Sequence, residues 1–196
     1  MSDEYRFDEI ARERRTTMSH AVRTAAADTA PTDYDELDGA ATAAAAGDRD
    51  ATARLVALLL PLVTRLCRAE FGRGSGSDDL AAGLCPAVAA AVVAARGPRR
   101  AERRGMSPLR VAYEATVQHL QGLRPGASDV LDGISRRGRE VLTLRLAVGL
   151  SVEQTAVALG ITAGRVRVEQ HRAVTALRGD AAGTTQGADN SAGSTA

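Results

Sequence analysis

Apolar residues recur along this chain at three- and four-residue steps in several separate stretches, the period of helices that bury one face. The clearest stripe is Leu55, Leu58, Leu59, Leu62 and Leu66. Asp48 marks its start, and Pro61 should kink the helix. Ahead of it, Thr32 or Asp33 with Glu36 has the form of a helix start, and the alanine run to Ala46 continues until Gly47 stops it. The stretch from Gly72 to Ser77 reads as a flexible loop. Asp78-Asp79 then begins a third helix that passes Val92 and Val93 and ends near Ala95, with Gly83 and Pro86 weakening its first turns. A fourth helix follows Ser107-Pro108, with proline at its favoured first position, and ends near Gly122.

Beyond a break at Arg124-Pro-Gly-Ala-Ser128 the pattern resumes. Ser135 caps a helix carrying Val141, Leu142, Leu144, Leu146 and Val148, and Gly149 ends it. Ser151 and Gln154 form a capping box for a short helix to Leu159. Gly160-Ile161-Thr162 is a tight turn, and Thr162 is placed to cap a last helix from Ala163 to Arg178.

These elements define an all-α chain of two small helical lobes joined by a short linker, the second lobe ending in a helix-turn-helix. The expected divisions are a poorly ordered segment at 1–30, a first lobe at 31–122, a linker at 123–128, a second lobe at 129–179 and a disordered tail at 180–196.

Composition sharpens this picture in three ways. Aromatic residues make up only 3% of the chain, with no tryptophan, so the core must be aliphatic. Net charge is +1, yet residues 1–50 hold 12 acids against 6 arginines, which leaves a basic remainder. The run Arg96–Arg104 carries five arginines and reads as a solvated loop or a phosphate-contacting arm. Cys67 and Cys85 lack metal-site spacing and sit in apolar helical contexts that suit buried thiols. The longest apolar run, around Val56–Val63, is far short of the ~20 residues of a membrane span, so a cytoplasmic protein without a membrane partner is expected. His20, His119 and His171 have no carboxylate or cysteine at catalytic or metal spacing, which argues against an enzyme, a metal site or a cofactor.

A short helix, a three-residue turn and a longer helix are the parts of a motif that lays its second helix in the DNA major groove. Ala156 is small enough for a close helix crossing, and Gly160 permits the turn. Val152, Leu159, Ile161, Val166, Ala173 and Leu177 form an apolar side that must face the preceding helix. The opposite side, with Arg165, Arg167, His171 and Arg172, is then forced outward, with Arg178 at the far end. Arginine suits such a surface because its planar fork pairs with guanine edges or clamps phosphate. Glu169 puts an acid on the same helix, close to where phosphate would lie.

The forty residues from Arg139 to Arg178, and Val166-Arg-Val-Glu-Gln-His-Arg172 above all, resemble the −35 reading domain of the sigma-70 family, in particular its small extracytoplasmic-function (ECF) members from actinobacteria. The resemblance implies a transcription initiation factor whose partners are core RNA polymerase and promoter DNA, with an anti-sigma factor as a further partner. It places Arg167, Val168, His171 and Arg172 at the −35 element, beside Thr162 and Arg165 from the reading of the helix. The first lobe is similar to the family in the order of Gly47-Asp48-Arg-Asp-Ala51, Pro61-Leu-Val63 and Asp78-Asp-Leu80. That order implies a polymerase-binding role for Asp78, Asp79 and Leu80.

The chain departs from the family in the first lobe. Ala82-Gly83 follows the acidic pair where the family carries Gln-Glu, and Pro108-Leu109 and Val111 stand near where it carries aromatics for unpaired bases. Base stacking on aromatics is worth about 1–3 kcal/mol, which aliphatic side chains do not supply. About seven linker residues reach only about 25 Å at ~3.5 Å each. A second reading therefore stands beside the first: a degenerate sigma relative that binds DNA or protein without starting transcription.

Overall fold

The computed structural model describes residues 34–97, 105–123 and 134–186. The expected N-terminal segment at 1–30, the helix start at Thr32 or Asp33, most of the Arg96–Arg104 run, nearly all of the linker and the last ten residues lie outside them. All regular structure among the described residues is helical.

A 3-10 turn at Tyr34–Glu36 leads into α1 (Leu37–Ala45), so the regular helix begins later than the sequence pattern suggested. Gly47 turns the chain at φ +95, a left-handed conformation that glycine adopts without penalty. α2 (Arg49–Phe71) starts at Asp48, whose Oδ1 accepts from the amides of Asp50 at 2.8 Å and Ala51 at 3.1 Å. It runs past Pro61 as one element and buries Leu55, Leu59, Leu62, Val63, Leu66 and Cys67. Burying each leucine contributes about 1.5–3 kcal/mol.

The loop expected at Gly72–Ser77 is shorter than the glycine content implied. α3 (Ser75–Arg96) begins three residues ahead of Asp78. The Ser77 hydroxyl donates to the Gly72 carbonyl at 2.7 Å and its amide to the Gly74 carbonyl at 3.1 Å, which closes the first turn without an acidic cap. The 76–96 stretch is longer than Val56–Val63 and, although less apolar per residue, is enough by length and composition to cross a membrane. Its stripe of Ala81, Cys85, Val88, Ala89, Val92 and Ala95 is buried, and the helix packs against α2 and α4. α4 (Pro108–Gly122) has the expected start, with the Ser107 hydroxyl accepting from the Leu109 amide at 3.3 Å.

In the second lobe the Ser135 hydroxyl accepts from the Gly138 amide at 3.0 Å and opens α5 (Arg136–Leu142). The pattern suggested one α-helix through Val148, but Thr143–Val148 is wound as a π-helix. It closes on Gly149 at φ +81, and the Leu150 amide reaches back to the Leu144 carbonyl at 2.9 Å. The wider winding lets Leu144, Val148 and Leu150 all point inward, each fully buried. α6 (Val152–Leu159) and α7 (Ala163–Gln186) follow. α7 continues eight residues past Arg178, so the tail expected to be unstructured from Asp180 is helical at its start.

The lobes pack on each other. The π-helical turn lies against α2, and α6 lies against α4. One continuous apolar core runs from Leu55 and Leu62 through Val111 and Ala112 to Val141, Leu144, Leu159 and Val166. A separate small cluster, Ile134, Leu142 and Ala173 with Val174, Ala176 and Leu177 against it, joins α5 to the later part of α7. The N-terminal part of α7 is thus anchored in the main core through Val166, and its next turns are anchored on α5.

Candidate nucleic-acid interface

The interface is built from α6, its turn and α7. Ser151 and Gln154 cap α6 reciprocally, with the Ser151 hydroxyl accepting from the Gln154 amide at 3.0 Å and the Gln154 side chain accepting from the Ser151 amide at 2.9 Å. Two amides that a helix start would leave unpaired are satisfied at once. Gly160 then reverses the chain at φ +63, while the Ile161 amide donates to the Ala156 carbonyl at 3.0 Å. Thr162 accepts from the Arg165 amide at 3.2 Å through its hydroxyl and so fixes the first turn of α7.

From that start the helical period decides which side chains face out. Val166, Glu169 and Ala173 are buried, whereas Thr162, Arg165, Arg167, Val168, His171 and Arg172 are all exposed. All six residues expected to meet DNA are thus exposed, Arg165, Arg167, Val168, His171 and Arg172 on α7 and Thr162 at its N-cap. Arg167, 62% exposed at its side chain, lies 3.3 Å from Glu153 of α6. Arg145 ties the π-helical turn to this unit, donating to the Leu150 carbonyl and, at 3.4 Å, to Gln170 of α7.

Glu169 is the feature the sequence misplaced. An acid on a DNA-facing helix read as an exposed charge near phosphate, but its side chain is only 6% exposed. Its Oε1 lies 2.8 Å from the Arg165 guanidinium and 3.8 Å from that of Arg172, one turn away on either side. Its place in line with Val166 and Ala173, three and four residues away, was the available signal.

In the first lobe, Asp78, Asp79 and Leu80 form the second turn of α3 and do not share one environment. Asp78 accepts a two-pronged pair from Arg68, at 2.7 and 2.8 Å, and this hydrogen bonding holds its carboxyl below the usual carboxylate range. Asp79 is exposed, and Leu80 is half-buried beside a groove that Phe71, Arg73, Gly74 and Gly76 also line. His119 lies 2.8 Å by Nδ1 from the Ala115 carbonyl of its own helix, and among the described residues no group of His, Cys, Asp or Glu is arranged to hold a metal.

A capped short helix, a left-handed glycine turn and a second capped helix with an outward arginine face make this a helix-turn-helix DNA-binding protein. The comparisons with known proteins carry that class to a family. Residues 130–179 match the family described as "Sigma-70, region 4". Over 176 residues the chain is 33% identical to the ECF RNA polymerase sigma factor SigD of Mycobacterium tuberculosis, an alignment that covers 74% of this chain and 83% of that protein. It is 30% identical over 168 residues to the ECF RNA polymerase sigma factor ShbA of Streptomyces griseus, covering 67% and 88% of the two chains. Against the RNA polymerase sigma-E factor of Streptomyces coelicolor the identity is 42% over 65 residues, 33% of this chain and 36% of that one. No solved structure matches the chain significantly. The chain belongs to the ECF group of RNA polymerase sigma factors, and is a sigma factor that recognises promoters.

Proposed function

We propose that α7 reads the −35 promoter element in the major groove, with Arg165, Arg167, Val168, His171 and Arg172 on the DNA and Thr162 fixing the helix start. The observation that carries this reading is the division of α7 into a sealed apolar edge and an open arginine face. On such a face arginines reach guanine edges and phosphates, and Val168 can meet a thymine methyl group. The described helices at 34–122 then form the lobe for core RNA polymerase and the −10 element, the Asp78–Leu80 turn being the candidate contact. An anti-sigma factor is the third partner of this reading, and the cytoplasm is its place of action.

Run-off transcription with purified core polymerase tests the assignment. The full chain should be retained by core enzyme and should produce promoter-dependent transcripts. No retention and no transcript would reject it.

A further inference from the structure

We infer that Glu169 is a specificity-positioning residue, a buried carboxylate that holds Arg165 and Arg172 in place for base reading and weakens their attraction to phosphate in general. The inference rests on the promoter-reading assignment above and assigns a role to a residue that does not itself face DNA.

Three observations lead to it. Glu169 occupies the inward row of α7 in line with Val166 and Ala173, yet it is ionisable, in a place where an apolar side chain would fill the space. One of its oxygens, Oε1, serves both arginines, at 2.8 Å and 3.8 Å, four residues before it and three after. Those arginines remain 59% and 67% exposed at their side chains, so the carboxylate takes the inner side of each guanidinium and leaves the outer side open.

Two physical effects follow. A free arginine side chain samples many rotamers, and one already restrained loses less of that freedom on binding. The restraint favours the duplex whose base edges lie where the forks already point. The second effect concerns charge. Two guanidinium groups around one carboxylate carry a net single positive charge, so their non-specific pull on a phosphate backbone is reduced. Both effects widen the gap between the right sequence and any other. The Glu153 contact to Arg167 does not act in the same way, because that acid is 70% exposed and screened by solvent.

The test uses holoenzyme reconstituted from the full chain and core polymerase. Duplexes are enriched from a randomised library by the wild-type complex, and affinities for the enriched duplex and a shuffled one are compared. Glu169→Gln keeps the shape and removes the charge. It should tighten binding to the shuffled duplex and lower the enriched-to-shuffled ratio about five- to tenfold. In an Arg165→Gln/Arg172→Gln background the same change should leave the ratio where it was, since the carboxylate then has nothing to position.

An undiminished ratio in Glu169→Gln, or an equal further fall in the arginine-free background, overturns the inference. Should the Gln variant unfold, the wild-type chain decides by itself. Its Arg165 and Arg172 Nη–H resonances, the groups that face Glu169, should exchange with water more slowly than those of other exposed arginines, and equal exchange overturns the role. A wild-type holoenzyme that enriches no sequence overturns promoter reading and this inference together. Enrichment by wild type with an unchanged Gln ratio removes this inference alone.

Discussion

Arg65 of α2 donates from Nη1 to the Val148 carbonyl at 3.0 Å, reaching from the first lobe to the last residue of the π-helical turn in the second. Carbonyls in the last turn of a helix lack partners within it, and this one finds its partner across the lobe boundary. A charged donor to a partly buried carbonyl contributes more than a neutral one, about 1.5–3 kcal/mol. Arg65→Met, which keeps the aliphatic stem, should therefore lower unfolding free energy by about 1–2 kcal/mol in urea titration. An unchanged midpoint and slope would show that the lobes are held by apolar contact alone.

Gly160 faces a second crossing. It sits at φ +63, and a Cβ there would fall 2.3 Å from Nη1 of Arg110 on α4. Gly160→Ala should cost about 1–2 kcal/mol in thermal or chemical unfolding, part from the left-handed backbone and part from displacing the guanidinium. Adding Arg110→Ala should recover the steric part and leave the backbone part. Equal stability of the single and double variants would mean that the arginine moves aside at no cost.

Arg167→Ala is expected to weaken binding to the preferred promoter duplex by about 1–3 kcal/mol and to relax preference at one base position, the pattern of a lost base-edge contact. Fluorescence anisotropy at several salt concentrations separates this from a phosphate contact, whose loss is uniform across sequences. Unchanged affinity at every salt concentration would place this side chain away from the duplex.

The Asp78–Arg68 pair gives a pH-dependent expectation. The folded carboxyl titrates below its unfolded value, so the stability it carries is complete above the unfolded pKa and disappears as pH falls through the lower folded one. Wild type should melt above Asp78→Asn near neutral pH, and the difference should close in acid. The pair is solvent-accessible, so added salt should narrow the gap as well. A gap that persists in strong acid would trace the effect to packing.

Burial pushes the thiols of Cys67 and Cys85 above their ordinary pKa, and both side chains are closed off from solvent. At pH 8 neither should react with a thiol reagent until the protein is unfolded, and both should then react. Fast modification of the native chain, followed by mass spectrometry, would contradict the packing of α2 on α3.

Legibility in the sequence tracked the range of the interaction involved. Ser107, Ser135, Ser151 and Thr162 cap the helices assigned to them because a cap is a bond between residues two or three apart. The outward placing of Arg165, Arg167, His171 and Arg172 on α7 followed from helical period and the apolar row alone. Errors fell where a distant partner intervened. α3 starts at Ser75 rather than Asp78, because Asp78 turns back to Arg68 and Ser77 closes the turn instead. The π-helical winding at Thr143–Val148 left no mark in a pattern that suits an α-helix equally, since the choice is made by packing against α2.

The sequence by itself determined an all-helical chain, the helix-turn-helix and its arginine face, since periodicity, caps and a glycine turn are local properties of the backbone. Only the tertiary structure decided that the lobes share one core and that Arg65 reaches the Val148 carbonyl across their boundary. Both depend on which surfaces exclude water together, and residues far apart in the chain settle that jointly.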